Sequence, residues 1–147
     1  MIIKTVHVAQ KVAENYSPEK KNNVAIISIT GSHDDDAILH PNFKKILRLK
    51  FDDIDQEILD DPRNRRVYKG INREQADLII AFVEELLDDE EEWYVVVHCH
   101  AGISRSAAVS KYISDRADLY YPEDYKVYNK MVYSRLLKIM PQYSENL

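Results

Sequence analysis

The chain reads His98-Cys99-His100-Ala101-Gly102-Ile103-Ser104-Arg105-Ser106 directly after an apolar run, Trp93-Tyr94-Val95-Val96-Val97. This run has the β-branched character of a strand buried on both faces of a sheet, which places Cys99 at the carboxyl end of a central strand. Apolar residues recur at helical spacing from about Arg105 onward. The pattern therefore predicts a loop that joins a strand to the amino terminus of a helix.

The backbone of such a loop is an anion site before any side chain is considered. Its N–H groups converge, and the positive end of the helix dipole adds to their attraction for phosphate. Gly102 can adopt a positive φ, and Arg105 adds a permanently charged fork that can bind two phosphoryl oxygens. The predicted phosphate-binding residues are His100, Ala101, Gly102, Ile103, Ser104 and Arg105.

Cys99 is the predicted nucleophile of this site. A free thiol is mostly protonated at neutral pH, but converging N–H groups and a guanidinium lower its pKa and favour the reactive thiolate. The Ser106 hydroxyl can hydrogen-bond that thiolate when it becomes a leaving group, and His98 can fix the loop by donating a ring N–H to a backbone carbonyl. An inert, buried cysteine at a strand end is the alternative interpretation.

His98, Cys99, Gly102, Arg105 and Ser106 fit the signature H-C-x-x-G-x-x-R-S, and the chain thereby resembles the cysteine-based protein tyrosine phosphatases. The segment 101–106 is most similar to the compact dual-specificity branch of that superfamily. The resemblance covers roughly residues 24–140. It implies an α/β, three-layer phosphatase fold in which helices flank a central, mostly parallel sheet and the Cys loop lies between the central strand and a helix.

The remaining pattern also favours an α/β fold, because strands alternate with helices along the chain. Further strands are predicted at Val24–Thr30 and 46–51. A capping box at Asn72 and Gln75 opens a helix that ends near Asp88, and a last helix is predicted to begin at Pro122 and to stop before Pro141.

Hydrolysis of a phosphate ester needs a general acid, which must come from another loop. Asp52, Asp53 and Asp55 follow the predicted strand 46–51. In dual-specificity phosphatases the acid is an aspartate just after such a strand, so the resemblance implies Asp53 for this role. Asp52 is the alternative, and three acids after a strand are more often a solvated turn.

The segment 61–70 is basic in an otherwise acidic chain, and its Pro and Gly predict a loop. One hypothesis is that Arg63, Arg65 or Arg66 contacts a second phosphate or an acidic side chain of the substrate. The alternative is a solvated loop whose arginines pair with nearby acids.

Composition and charge exclude several classes. The 147 residues are expected to form a single domain, and the formal net charge of −5 argues against nonspecific nucleic-acid binding. No apolar run is long enough for a membrane span and no signal pattern precedes Lys4, while a thiolate nucleophile needs a reducing compartment; we therefore expect a cytoplasmic protein. The five histidines lack metal-ligand spacing, and the Cys99 mechanism requires neither a metal nor a cofactor.

The resemblance implies a protein phosphatase that hydrolyses phosphotyrosine, with phosphoserine and phosphothreonine as further candidates. The same chemistry could act on a non-protein substrate, such as an RNA 5′-triphosphate, a nucleotide or a phosphoinositide. Lipid-directed relatives carry lysines in the loop where this chain has His100 and Ile103, which disfavours lipid. A phosphate-binding module without turnover is the third class, and the presence of both Cys99 and Arg105 argues against it.

Overall fold

Four parallel strands form the centre of the molecule in a computed structural model that describes residues 1–145, with side chains through residue 139. The strands are β1 (Ile2–Ala9), β2 (Val24–Thr30), β3 (Lys45–Lys50) and β4 (Trp93–Cys99). Their order in the sheet is β1-β4-β2-β3, and every neighbouring pair is parallel. The predicted α/β fold with a parallel sheet is confirmed.

The two inner strands are the apolar runs of the sequence. Every residue of β2 is buried, and in β4 only Tyr94 is exposed. Such strands need cover on both faces, because neither face can be left to water. Cys99 is the last residue of β4, so the interior position of this strand brings the nucleophile candidate to the middle of the sheet's carboxyl edge.

Six helices of the described residues pack around this sheet. They are α1 (Gln10–Glu14), α2 (Gln56–Asp60), α3 (Pro62–Arg65), α4 (Arg73–Asp88), α5 (Arg105–Ala117) and α6 (Lys130–Glu145). The capping box predicted for α4 is present, since Gln75 N donates to Asn72 Oδ1 at 2.8 Å and Asn72 N donates to Gln75 Oε1 at 3.0 Å. Helix α5 begins at Arg105, as its apolar spacing predicts.

The core is divided by the sheet into two clusters. The larger cluster joins Ile27 and Ile29 of β2 to α4, α5 and α6. The smaller one lies on the opposite face, where Val24 and Ile26 pack with Ala13 of α1. Alternate β2 side chains thus enter different layers, as the period of a strand requires.

Three sequence expectations are wrong. No helix begins at Pro122, because residues 122–129 form an irregular segment with a turn at 123–124, and α6 begins only at Lys130. Helix α6 also does not stop before Pro141; it continues to Glu145, although proline has no N–H and cannot make the helical hydrogen bond to the Leu137 carbonyl. The segment 61–70 is not wholly a loop, because Asp61 caps the short helix α3 by accepting from Arg63 N.

Strand β1 has no counterpart in the sequence interpretation. It is an edge strand that pairs only with β4, and most of its residues are half-buried rather than buried. Its polar and apolar residues alternate only over residues 5–8, which is the shortest stretch that indicates a half-buried strand.

Candidate active site

The Cys99 thiol lies at the bottom of the loop between β4 and α5. It is 2% exposed, and its Sγ is 3.1 Å from the Ser106 hydroxyl. Burial alone would raise the pKa of this thiol, but hydrogen bonds from the Ser106 hydroxyl and backbone, the Arg105 charge and the Gly102 N–H together hold the pKa below its ordinary value. The site therefore stabilises the thiolate relative to that of an ordinary cysteine.

Gly102 lets the loop close against β1. Its φ is 73°, and a Cβ at this position would lie 2.3 Å from both the Ala9 nitrogen and the Val8 carbonyl carbon. Any other residue would be strained in conformation and would also collide with backbone that cannot move aside. Glycine is therefore required both for the turn and for the close contact with β1.

Arg105 is a buried charge with an unpaired donor. Its residue is 7% exposed, Nη1 donates to the Phe51 carbonyl at 2.8 Å, and Nε has no acceptor among the described residues. Leaving a charged donor buried and unpaired is costly, so such a group marks a position prepared for an anion. The bond to Phe51 fixes the guanidinium and leaves its other donors for that anion.

Asp53 is joined to the Cys loop by direct hydrogen bonds. Its Oδ1 accepts from Ser104 Oγ at 2.7 Å and from Asn129 Nδ2 at 2.9 Å. Asn129 itself is buried and caps α6 through its Oδ1, which accepts from Val132 N at 2.9 Å. The carboxylate is thereby held next to the loop that carries Cys99.

The neighbouring aspartates accept hydrogen bonds from backbone N–H groups. Asp52 accepts from Ser32 N at 2.9 Å, from Ser32 Oγ at 2.7 Å and from Lys69 N at 2.7 Å. Partial burial opposes ionisation, but these hydrogen bonds prevail and lower the pKa of Asp52. Asp55 caps α2 by accepting from Ile58 N at 3.0 Å.

His98 supports the loop from the core. It is fully buried, its Nε2 is 2.5 Å from Ser28 Oγ, and its Nδ1 is 3.4 Å from the Cys99 carbonyl oxygen. Burial lowers the pKa of His98 and favours the neutral ring. A carbonyl can only accept, so Nδ1 carries the proton and Nε2 accepts from Ser28.

A cavity of about 350 Å³ opens above the loop. Its lining residues are Gly31, Asp34, Asp52, Asp53, Ile54, Tyr68, His100 and Arg105. Of the predicted phosphate-binding residues, His100, Ala101 and Ile103 have exposed side chains, Ser104 is half-buried, and Gly102 and Arg105 are buried. The basic segment reaches the cavity through Tyr68, whereas Arg63 forms an ion pair with Asp61 at 3.0 Å, and neither Arg65 nor Arg66 lines the cavity.

The residues of the site that were not predicted from the sequence include His7, Tyr68, Tyr125 and Asn129. His7 Nδ1 lies 2.7 Å from the Gly102 carbonyl oxygen, and Tyr125 Oη donates to the Ile103 carbonyl at 2.6 Å. An asparagine three residues before Val132 is an N-cap signal, so Asn129 could have been found had the helix start not been assigned to Pro122. His7, Tyr68 and Tyr125 carry no such local signal.

Comparison with solved structures identifies the fold. Human DUSP28 has a TM-score of 0.50 and 16% sequence identity, over 97% of this chain and 95% of that chain. The chain has the compact dual-specificity phosphatase fold. The human tyrosine phosphatase-like serine/threonine/tyrosine-interacting protein gives a TM-score of 0.49 and 24% identity, over 85% of this chain and 81% of that chain. No family model and no curated protein sequence matches this chain.

None of the helices in the described part of the chain combines the length and the apolar character needed to cross a bilayer. Within the same residues, no three His, Cys, Asp or Glu side chains are grouped as metal ligands.

Proposed function

We propose that this chain is a cysteine-dependent phosphatase that hydrolyses phosphotyrosine in proteins or peptides, with phosphoserine and phosphothreonine as secondary substrates. One observation carries the proposal: a buried thiol whose pKa is lowered lies in the same loop as a buried arginine with an unpaired Nε. A nucleophile and an anion-binding group so placed are suited to phosphoryl transfer.

In the first step the Cys99 thiolate attacks phosphorus. The S–P bond forms as the bond from phosphorus to the ester oxygen breaks, and Asp53 donates its proton to that leaving oxygen. Arg105 and the loop N–H groups bind the equatorial oxygens, whose charge they stabilise through the transition state. The products of this step are the free alcohol or phenol and a cysteinyl-phosphate.

In the second step water attacks the cysteinyl-phosphate. The Asp53 carboxylate accepts a proton from the water, an O–P bond forms and the S–P bond breaks. The Ser106 hydroxyl, 3.1 Å from Sγ, hydrogen-bonds the departing thiolate. Inorganic phosphate leaves, and both Cys99 and Asp53 return to their starting protonation states.

The contacts of the three aspartates support Asp53 as the acid. Both carboxylate oxygens of Asp52 accept hydrogen bonds from Ser32 and Lys69, and these bonds lower its pKa and oppose a role as proton donor. Asp55 is occupied as a helix cap. Asp53 is bonded to Ser104 of the Cys loop, so its carboxyl group is next to the position where phosphate would bind.

The cavity favours a phosphate monoester over a polyphosphate. Asp34, Asp52 and Asp53 give its rim several carboxylates, which repel the additional charges of a triphosphate or a phosphoinositide. Tyr68 supplies an aromatic wall, against which the ring of a phosphotyrosine can pack. We further propose that residues 1–147 act as one catalytic domain, in a reducing compartment such as the cytoplasm, where the thiolate survives.

The test is phosphate release from a phosphotyrosine peptide, compared with phosphoserine and phosphothreonine peptides and an RNA 5′-triphosphate. We expect the phosphotyrosine peptide to be hydrolysed fastest and Cys99→Ser to abolish the reaction. Faster release from the RNA would move the proposal to a non-protein substrate. Binding of phosphate by the reduced protein without turnover of any of these would indicate a phosphate-binding module instead.

A further inference from the structure

The carbonyl groups of the Cys loop are bonded to donors from distant parts of the chain. Gln10 N donates to the His100 carbonyl at 3.2 Å, and Asn129 N donates to the Ser104 carbonyl at 3.1 Å. Between these two backbone contacts, the carbonyls of Gly102 and Ile103 are held by two side chains, His7 and Tyr125.

The direction of the His7 hydrogen bond is fixed by chemistry. A carbonyl has no proton to donate, so the contact of 2.7 Å requires that Nδ1 carries the proton and donates it to the Gly102 oxygen. His7 lies on β1, the strand against which Gly102 packs at Val8 and Ala9. The imidazole thus adds a hydrogen bond where the loop already touches the sheet.

Tyr125 makes the equivalent contact from the segment between α5 and α6. Its hydroxyl donates to the Ile103 carbonyl at 2.6 Å. The two donors also contact each other, since the His7 and Tyr125 ring centroids are 5.2 Å apart. Tyr121 packs against both rings, with centroid distances of 6.4 Å to His7 and 6.0 Å to Tyr125.

Peptide geometry connects these outward carbonyls to the anion site. In a planar trans peptide the C=O and the following N–H point in opposite directions. A carbonyl of Gly102 bonded to His7 therefore turns the N–H of Ile103 away from His7, and a carbonyl of Ile103 bonded to Tyr125 does the same for the N–H of Ser104. Neither His7 nor Tyr125 needs to touch phosphate to affect its binding.

We propose that His7 and Tyr125 are positioning residues that orient the Ile103 and Ser104 N–H groups toward an oxyanion bound at Cys99. This inference rests on the proposed phosphatase function, whose transition state those N–H groups would stabilise. It assigns a role to two residues outside the signature segment, one on each side of the loop.

The experiment compares Tyr125→Phe, His7→Phe and His7→Asn with Tyr16→Phe as the matched control. Tyr125→Phe and His7→Phe remove the hydrogen-bond donors and keep an aromatic ring. In His7→Asn, the side-chain amide can place an N–H close to the position of the His7 Nδ1. Tyr16 is 42% exposed and packs on Phe43 in the opposite layer. Binding is measured with tungstate by calorimetry, and the Cys99 pKa by the pH dependence of alkylation.

We expect tungstate binding to weaken about three- to tenfold in Tyr125→Phe and His7→Phe, the usual effect of one lost hydrogen bond, and the Cys99 pKa to rise. His7→Asn should recover most of the affinity, and Tyr16→Phe should match the unmodified protein. Unchanged affinity in the phenylalanine variants, or equal loss in His7→Asn and His7→Phe, would overturn the positioning role.

These readouts do not require turnover, so the two proposals can fail separately. A protein that binds tungstate through His7 and Tyr125 but hydrolyses no phosphate ester would retain the positioning role and lose the proposed function. A protein that turns over phosphotyrosine with unaltered kinetics and tungstate affinity in Tyr125→Phe and His7→Phe would retain the function and lose the positioning role. Absence of any tungstate binding by the unmodified protein would contradict both.

Discussion

At the scale of single residues, the site buries a thiol and a guanidinium, and each group reduces the cost of burying the other. A thiol buried alone would stay protonated, and a guanidinium buried alone would lack partners for its donors. Cys99 and Arg105 share one loop, and the Arg105 charge is among the causes that lower the pKa of Cys99. The side-chain types and their spacing were readable from the sequence, because the signature is local.

Ser106 should control the acidic limb of the pH profile. Its hydroxyl and N–H are the largest favourable contributions to the lowered pKa of Cys99, and the thiolate is the reactive form. Ser106→Ala should therefore raise the pKa of the Cys99 thiol. The acidic limb of the pH profile should move to higher pH. The measurement is kcat/KM against pH, with Ser114→Ala, another buried serine of α5, as the control. An acidic limb that does not move would show that the hydroxyl leaves the thiolate unaffected.

The asparagine variants of Asp53 and Asp52 should affect different properties, catalysis for Asp53 and stability for Asp52. Asp53→Asn removes the proposed general acid, so kcat should fall about 10²- to 10⁴-fold and the basic limb of the profile should disappear. Asp52 has a lowered pKa in the folded state, so its stabilising effect is present above the ordinary aspartate pKa and is lost as pH falls through the lowered value. Asp52→Asn should thus reduce the melting temperature at pH 7 and reduce it less in acid. Loss of the basic limb in Asp52→Asn instead would transfer the acid role to Asp52.

At the scale of helices and strands, unbroken patterns were predictable and interrupted ones were not. Strands β2 and β4 are mostly apolar and almost wholly buried, and α4 has both an apolar face and a capping box. Strand β1 is an edge strand with mixed polarity, and the start of α6 is set by Asn129 rather than by Pro122. Proline is compatible with a first helical turn, but its presence does not require one.

The capping box of α4 should contribute to stability and not to catalysis. Asn72→Ala removes the acceptor for Gln75 N and should lower the free energy of unfolding by about 0.5–2 kcal/mol. Urea denaturation measures this change, and kcat/KM should stay the same because α4 begins outside the cavity lining. Asn22→Ala, whose side chain has no hydrogen bond among the described residues, is the matched control. Equal loss in both variants would contradict the role of the cap.

At the scale of the whole molecule, the fold brings together residues that are far apart in sequence. β1 supplies His7, the loop after β3 supplies Asp53, and the residues before α6 supply Tyr125 and Asn129, all around the loop after β4. The resemblance could place Asp53 because the strand before it is recognisable. His7 and Gly102 are separated by 95 positions, and no local periodicity encodes such a contact.

Anion binding should therefore stabilise the entire fold. On the proposed function, tungstate binds the folded loop and has no equivalent site in the unfolded chain. Tungstate at a hundredfold excess over Kd should therefore add about 2.7 kcal/mol to the free energy of unfolding and raise the melting temperature. Arg105→Lys should show a much smaller rise, since lysine cannot bind two oxygens as a fork. Arg116→Lys on the same helix, where Arg116 pairs with Glu84, is the control and should respond like the unmodified protein. Equal shifts in all three proteins would show that tungstate acts elsewhere.

The central claim is that Cys99 carries the phosphoryl group during turnover. Rapid acid quenching of the protein with a phosphotyrosine peptide, followed by mass spectrometry of the peptide that contains Cys99, tests this directly. We expect one phosphoryl group on Cys99 within the first turnover, and none in Cys99→Ser or in protein quenched without substrate. Release of phosphate with no adduct on Cys99 at any quench time, together with activity that persists in Cys99→Ser, would contradict the cysteinyl-phosphate mechanism.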